Sequence, residues 1–120
     1  MVNSPQPSAH EVTPMRELRW SQAEKAAARR AFDLALKREL EAVMREAKER
    51  AARINEPSEL WELEAWLTLR RKQIDRDYDY RYSVLPLVFA VLLRDGRLSD
   101  NELDGLGEDK LDRIRHMASF

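Results

Sequence analysis

The longest regular pattern of apolar positions lies between residues 21 and 55, a stretch without proline or glycine. Alanine, arginine and glutamate dominate it, and all three are strong helix formers. Ser21 and Glu24 have the spacing of a capping box, so the helix is predicted to begin there. Its apolar positions advance in steps of 4, 4, 3, 4, 4 and 3: Phe32, Leu36, Leu40, Val43, Ala47, Ala51 and Ile54. This eleven-residue repeat, about 3.67 residues per turn, predicts a straight apolar stripe along one helical face.

A turn and a second helix follow. Residues 55–58 (NEPS) read as the turn, with Asn55 or Ser58 as the expected cap. The second helix then carries one apolar stripe: Leu63, Leu67, Ile74, Tyr78 and Leu85. Pro86 cannot donate a backbone hydrogen bond, which predicts a kink or break near residues 82–86. Two long helices joined by a short turn predict an antiparallel hairpin.

The remaining residues predict a small helical head. Residues 84–94 are apolar nearly all round, as in a buried helix, and Gly96 ends it. Ser99 and Glu102 form a second capping box, and an amphipathic helix is predicted over residues 108–117.

No strand alternation stands out, so the fold class is all-α. We predict stalk helices over about residues 21–82 and a head over about 83–120, which together form a single domain from residue 18. Residues 1–17, with three prolines, are expected to be a flexible tail. The first helix would be about 50 Å long, and one compact chain of this size cannot cover such a stripe. An elongated homodimer is therefore expected.

Composition limits the function. The chain has 36% charged residues and a net charge of −1, with both signs interspersed, which gives no strong attraction to nucleic acid or anionic lipid. The absence of cysteine excludes disulfides and thiolate metal sites. The longest apolar run, residues 84–93, is far shorter than the ~20 residues of a membrane span. No signal-peptide pattern is present, so a cytoplasmic location without membrane insertion is expected.

Candidate chemical sites are weak. Residues 95–102 resemble half of a calcium loop, but Val91 and Leu93 occupy the first two ligand positions. A second possible metal loop contains Asp75, Asp77 and Asp79. It lacks the required glycine, and the helical pattern continues through it. A solvated helical face therefore explains these residues better. No metal and no cofactor is therefore expected. Without a phosphate loop or a nucleophile pattern, we do not expect an enzyme.

Residues 60–96 favour binding of another protein. Large aromatic side chains beside arginines are typical of interface hot spots. Trp61 and Trp66 point about 140° apart on a helix, while Arg71 lies within about 80° of Trp61. Both tryptophans are explained equally well by packing within the hairpin or dimer and by an external partner surface.

An ordered set of short segments, spread over residues 20–120, is found in one known protein family. They are Trp20-Ser21-Gln22-Ala23-Glu24, Arg38-Glu39-Leu40, Leu60-Trp61, Ile74-Asp75, Tyr78-Asp79, Arg81, Ser83-Val84, Val88-Phe89-Ala90, Leu92-Leu93, Gly96 and Glu102-Leu103. This set resembles the fluorescence recovery protein family of cyanobacteria. The resemblance implies an all-α dimer that is not an enzyme. It further implies binding to the C-terminal domain of the photoactivated orange carotenoid protein, whose return to the inactive orange form is accelerated.

The resemblance also suggests the site residues. It implies five partner-binding residues. Trp61 and Arg71 are the first contact surface, Leu87 and Arg113 form a second patch, and Glu64 is the remaining candidate. It places Leu60 and Trp61 at the dimer interface, to which we add the stripe residues Leu63 and Leu67.

Several of these positions depart from the family pattern. Ala65 replaces an acidic residue that pairs with the family's equivalent of Arg71, and Glu64, in place of a histidine, is a candidate substitute for it. Leu87 replaces an aromatic residue, and Arg113 replaces a lysine.

Three functions follow from these observations. The first is a regulator of the orange carotenoid protein that ends photoprotective quenching, located in the cytoplasm and associated with phycobilisomes through its partner. The second is a dimeric interaction module of the same fold with a different partner. The third is a small DNA-binding regulator, which is weakly supported because acids lie within a turn of each arginine cluster.

Overall fold

A computed structural model describes residues 18–120 of the chain. The tail predicted over residues 1–17 lies outside the described residues. The first helix, α1, spans Gln22–Ala52. Its capping box is formed as expected: the Glu24 N–H donates to Ser21 Oγ at 3.1 Å, and the Ser21 N–H donates to Glu24 Oε1 at 2.9 Å.

The second helix, α2, spans Glu59–Asp77 and runs back along α1. The cap of α2 differs from the prediction, because Ser58 makes no capping hydrogen bond. Instead the Glu59 carboxylate accepts the N–H groups of Asn55 and Glu56 at 2.8 and 2.6 Å. A carboxylate is well placed there, since it also faces the positive end of the helix dipole.

The chain leaves α2 earlier than predicted. Residues 78–81 are not helical, so Asp79 does not share a helical face with Asp75 as the sequence suggested. The reason is the alternation of tyrosines at 78, 80 and 82, which in an extended backbone point to the same side. Tyr78 and Tyr80 meet the Phe32 ring edge-on, with ring centroids 5.6 and 4.9 Å away. Burial of this aromatic face outweighs helical propensity, and the alternation was the signal that the sequence reading missed.

The head consists of three short elements. Helix α3 spans Leu85–Arg94, with Pro86 in its first turn rather than at a kink. A 3-10 helix spans Asp100–Leu103, and α4 spans Glu108–Ala118. Residues 18–120 contain no strand and only one isolated bridge, between residues 104 and 106. The all-α prediction of a hairpin with a helical head is therefore confirmed.

The core lies where the head packs on the N-terminal half of α1. The buried residues of α1 are Ala27, Ala28, Ala31, Phe32 and Ala35. The head covers them with larger side chains: Leu85, Phe89, Leu98, Leu103, Leu106, Leu111 and Ile114. Of the predicted α1 stripe only Phe32 is buried within one chain. The other residues of α1 that face the head are alanines outside that stripe. Alanine faces the head because its small side chain allows close approach of the neighbouring backbone.

A buried lysine joins the last helix to the start of α1. Lys110 is 1% exposed, and its ammonium lies 3.1 Å from the Glu24 carboxylate and donates to the Arg19 carbonyl. Glu24 also accepts the Gly107 N–H at 2.7 Å. Burial alone would raise the pKa of Glu24, but these hydrogen bonds and the one from Ser21 hold it below its ordinary value.

The distal half of the hairpin has almost no core. No residue of α1 beyond Ala35 is buried, and Ile74 is the one buried residue of α2. The Cα radius of gyration is 19.2 Å, against about 13 Å for a compact domain of this size. The hairpin therefore projects from the head as a long, thin arm.

Candidate protein-binding surfaces

Most of the exposed large apolar side chains of residues 18–120 lie on the distal hairpin. They are Leu40 and Met44 on α1 and Leu60, Trp61, Leu67 and Leu69 on α2. Leu87 and Phe120 are exposed on the head. Apolar side chains concentrated on one part of a surface usually mark a binding site.

One stripe of α2 carries several of the predicted site residues. Leu60, Glu64, Leu67 and Arg71 follow the i, i+4, i+7, i+11 spacing of one helical face, and all four are exposed. We call these four residues the α2 stripe. A different face of α2, about 60–120° around the helix from the stripe, meets α1 through Arg70, which contacts Glu39 at 2.6 Å.

Leu63 does not belong to the α2 stripe. It is half-buried and lines a shallow pocket of 190 Å³ at the hairpin tip with Arg50 and Ile54 of the first helix and turn. The structure therefore places Leu63 between the two helices of one chain, apart from the other residues predicted at the dimer interface.

The two tryptophans have different environments. Trp66 faces α1, where the Arg50 guanidinium lies 4.4 Å from its ring centroid, a cation–π distance. Trp61 is 68% exposed and has no aromatic or cationic neighbour among the described residues. Taking Arg70 as the direction of α1, Trp61 points about 180° away from it. Trp61 is thus the large side chain of the hairpin that is most available to another molecule.

Arg70 and Arg71 also differ. Arg70 is occupied within the chain by Glu39 and by Gln73 Oε1 at 2.8 Å. Arg71 is exposed and forms no ion pair within residues 18–120, and neither does Glu64. These two residues lie about 10 Å apart along the helix axis. Within one chain, Glu64 therefore does not take the place of the acidic residue that Ala65 replaces.

The head contributes a separate groove beside the end of α2. It has a volume of 220 Å³. Its floor is apolar and its rim is charged. The floor is formed by Val84, Leu87, Val88 and Val91, and the rim by Arg76, Asp77 and Asp79. Arg113 is half-buried on α4 and does not line this groove, so the structure does not join it to Leu87 there. Trp61 lies about 24 Å from the groove along the axis of α2. The structure thus places Leu87 on a second surface, separate from Trp61, but does not place Arg113 beside it in this groove.

A cluster of ion pairs between these surfaces was missed by the sequence analysis. The Arg38 guanidinium binds the Glu102 carboxylate with both nitrogens, at 2.7 and 2.6 Å, and donates to the Arg97 carbonyl at 2.8 Å. Glu39 accepts from Arg97 Nε at 2.9 Å, from Arg70 Nη2 at 2.6 Å and from the Tyr78 hydroxyl at 3.0 Å. The partners are too distant in sequence for any local pattern to reveal them.

The cluster changes the acidity of its members. Pairing with Arg38 lowers the pKa of Glu102 to about 2. Burial alone would raise the pKa of Glu39, but the hydrogen bonds from Arg97, Arg70 and Tyr78 outweigh it and lower that pKa. Burial and the bond to Glu39 raise the pKa of Tyr78. Both carboxylates are therefore ionised at neutral pH.

Neither a metal site nor a membrane-spanning helix is found among residues 18–120. Residues 18–120 contain no cluster of three or more histidine, aspartate or glutamate side chains placed to bind a metal ion. None of their helices is both long and apolar enough to cross a membrane.

The fold and surfaces define a class of elongated, all-α proteins with a hairpin arm and a small head. Within this class, the chain belongs to the family described as photoprotection regulator fluorescence recovery protein. The family matches residues 20–118. The curated fluorescence recovery protein of Synechocystis sp. PCC 6803 is 38% identical over 102 residues, or 85% of this chain and 94% of that protein.

Solved structures give the same result. The fluorescence recovery protein of Fremyella diplosiphon superposes with a TM-score of 0.80 at 39% identity, covering 85% of this chain and 100% of that one. The Synechocystis sp. PCC 6803 structure gives 0.80 at 37% identity, with the same coverage.

Proposed function

We propose that this protein binds the photoactivated orange carotenoid protein as a homodimer and accelerates its return to the inactive orange form. Membership of the fluorescence recovery family supports this function. The observation that carries it is the exposed aromatic and cationic pair on α2, Trp61 and Arg71, neither of which has a partner within residues 18–120. Aromatic residues and arginine are the commonest hot-spot residues of protein interfaces.

The proposed mechanism is binding and not covalent chemistry. A protein that binds one conformer of its partner more tightly than another shifts the equilibrium between them by that difference in affinity. Acceleration of the return further requires that the protein bind the transition state between the conformers more tightly than it binds the active form. By this action the protein would end photoprotective quenching in the cytoplasm, at phycobilisomes that it reaches through its partner.

A second copy of the chain is the proposed cover for one side of the hairpin. Relative to the Glu39–Arg70 contact, Leu40 and Met44 lie about 100° and 140° around α1, and Leu60 and Leu67 lie about 80° and 60° around α2 in the same sense. Because the helices are antiparallel, equal senses of rotation place both groups on the same side. That side combines apolar residues of both helices, as expected of a homodimer interface.

The first experiment follows red-to-orange recovery in the dark after photoactivated orange carotenoid protein is mixed with this protein. Acceleration at sub-stoichiometric amounts supports the proposal. Trp61→Ala should abolish most of the acceleration. Leu69→Ala is the matched control, because Leu69 is equally an exposed apolar residue of α2 but lies on the other side of the hairpin. Equal effects of the two substitutions would contradict the assignment of Trp61.

A different partner is the second candidate function. The observation that favours it is the environment of Arg71, which pairs with no carboxylate of residues 18–120, although the family resemblance implies such a pair. Absence of acceleration, together with an intact dimer in light scattering, would support this second function.

A further inference from the structure

The Glu39 carboxylate is the point at which three parts of the fold meet. Glu39 belongs to α1, Arg70 to α2, and Arg97 to the loop that follows α3 in the head. Both carboxylate oxygens are used: Oε1 by Arg97 and Tyr78, and Oε2 by Arg70. The Glu39 side chain is only 15% exposed, so these contacts are partly shielded from water.

The head loop is held on α1 by two consecutive residues. Arg38 binds the Arg97 carbonyl and the Glu102 carboxylate, while Glu39 binds the Arg97 side chain. Together with the apolar core, these bonds fix the head on α1. Arg97 is therefore a fixed partner of Glu39, and Arg70 is the partner that arrives from the other helix.

The attachment of α2 elsewhere is thin. Its one buried residue is Ile74, and the Arg50 guanidinium over Trp66 is its main contact near the hairpin tip. At its C-terminal end α2 is followed by Tyr78, whose ring meets Phe32 and whose hydroxyl donates to Glu39 and to the Ala35 carbonyl, so part of this attachment also depends on Glu39. Few buried apolar contacts give a segment a low free energy of local opening.

We propose that Glu39 is a positioning residue that holds α2 at a fixed place relative to the head. This inference rests on the proposed function in one respect. Trp61 and Arg71 on α2 and Leu87 on the head would then meet one partner at a fixed distance from each other. Preorganisation of this kind raises affinity, because less conformational freedom is lost on binding. Nothing in the family resemblance assigns this role to Glu39.

Charge explains why one residue can have this effect. Glu39 is the single carboxylate between two guanidiniums, those of Arg70 and Arg97. Replacement by glutamine keeps the size of the side chain but removes the negative charge between the two guanidiniums. The two positive charges then repel each other without a counterion. Both arginines are partly exposed, so each can turn to water once the carboxylate is gone, and α2 is then released from the head loop.

The absence of cysteine makes the test direct. Spin labels are attached at Thr68→Cys on α2 and Asp112→Cys on α4, both exposed positions. Labelled protein is diluted into excess unlabelled protein, so that only distances within one chain are measured by pulsed electron resonance. We expect one narrow distance distribution, which becomes broader and longer with Glu39→Gln.

Glu49→Gln is the matched control. Glu49 lies ten residues further along α1, is exposed, and its side chain forms no ion pair within residues 18–120, so its loss should leave the distribution unchanged. An unchanged distribution in Glu39→Gln would overturn the proposal, and so would equal broadening by both substitutions. If circular dichroism shows that Glu39→Gln does not fold, Arg70→Gln decides, because it frees α2 and leaves the Glu39–Arg97 contact intact.

Recovery of the orange carotenoid protein gives the functional outcome. If Glu39→Gln leaves α2 in place for only a tenth to a fifth of the time, apparent affinity falls about fivefold to tenfold. Loss of acceleration should then be restored by about fivefold to tenfold more protein, whereas the loss caused by Trp61→Ala should need at least about thirtyfold more. If the unchanged protein gives no acceleration at all, the proposed function fails, while the distance distributions still decide the role of Glu39.

Discussion

Gly105 is the position at which the structure makes the sharpest prediction of stability. It has a φ of +106°, and a Cβ placed there would lie 2.7 Å from the Cβ of Ala27 and 3.7 Å from Arg30 Nη2. Gly105→Ala therefore has two costs. Backbone strain in this region costs about 1–3 kcal/mol, and overpacking against a fixed helix costs about 1–3 kcal/mol.

We expect Gly105→Ala to lower the free energy of unfolding by about 2–6 kcal/mol, a large part of the ~5–15 kcal/mol typical of a domain. Gly96→Ala separates the two costs, because Gly96 also has a positive φ, +80°, but nothing lies within 4 Å of its Cβ position. It should cost only the backbone term, about 1–2 kcal/mol.

A compensating change tests the packing term alone. Ala27→Gly removes the atom that the new Cβ meets, so the double variant should recover part of the loss caused by Gly105→Ala. The assay is urea unfolding followed by helical circular dichroism at one fixed protein concentration, because association changes apparent stability. If Gly105→Ala and Gly96→Ala cost the same, or if Ala27→Gly gives no recovery, the close approach of the head to α1 is wrong.

Three further predictions concern binding and pH. Trp61→Ala should weaken partner binding by at least about 2 kcal/mol in a titration, while leaving the thermal unfolding midpoint of the protein nearly unchanged because the side chain is exposed. Leu67→Ala should weaken self-association in sedimentation velocity more than Leu69→Ala, since only Leu67 lies on the proposed dimer side; the reverse order would place the interface elsewhere. Because the folded pKa of Glu102 is lowered to about 2, its pairing with Arg38 stabilises the fold fully above its unfolded pKa of about 4.3, and this contribution is lost as pH falls towards 2. Glu102→Gln should therefore reduce stability at pH 7 and flatten its acid dependence; an unchanged profile between pH 5 and 2 would show that the pair contributes nothing.

The helix starts were readable from the sequence because they depend on neighbouring residues. Ser21 with Glu24, and Ser99 with Glu102, are capping boxes whose partners lie three residues apart. The end of α3 at Gly96 is local in the same way. Such signals are complete within a few residues, so no knowledge of the fold is needed to find them.

The buried face of α1 was not readable, because it depends on distant residues. The apolar stripe through Leu40 and Val43 has the stronger hydrophobic pattern, yet the head packs on the alanines at 27, 28, 31 and 35. In an alanine-rich helix, the sequence does not distinguish an alanine chosen for close packing from one chosen for helical propensity. The end of α2 was missed for a similar reason, since the tyrosine alternation is explained only by the Phe32 ring that it covers.

The candidate surfaces were partly predictable. The separation of Trp61 from Trp66 follows from their spacing on a helix, but which of the two faces outward does not. Leu87 was predicted to lie in a second patch, whereas its separation there from Arg113 depends on how the head folds. Glu39 meets Arg70 and Arg97, which are 31 and 58 residues away, and no pattern in a single sequence joins such residues.

The placement of the core at one end of the molecule makes the two ends respond differently to dilution. Amide protons of α3, which is buried on α1, should exchange with solvent only when the whole fold opens, at a rate independent of protein concentration. Amide protons near the hairpin tip have no such core above them. If a second copy covers the hairpin, their exchange should slow as the concentration rises, so that residues 40–70 report on assembly while the head reports on folding.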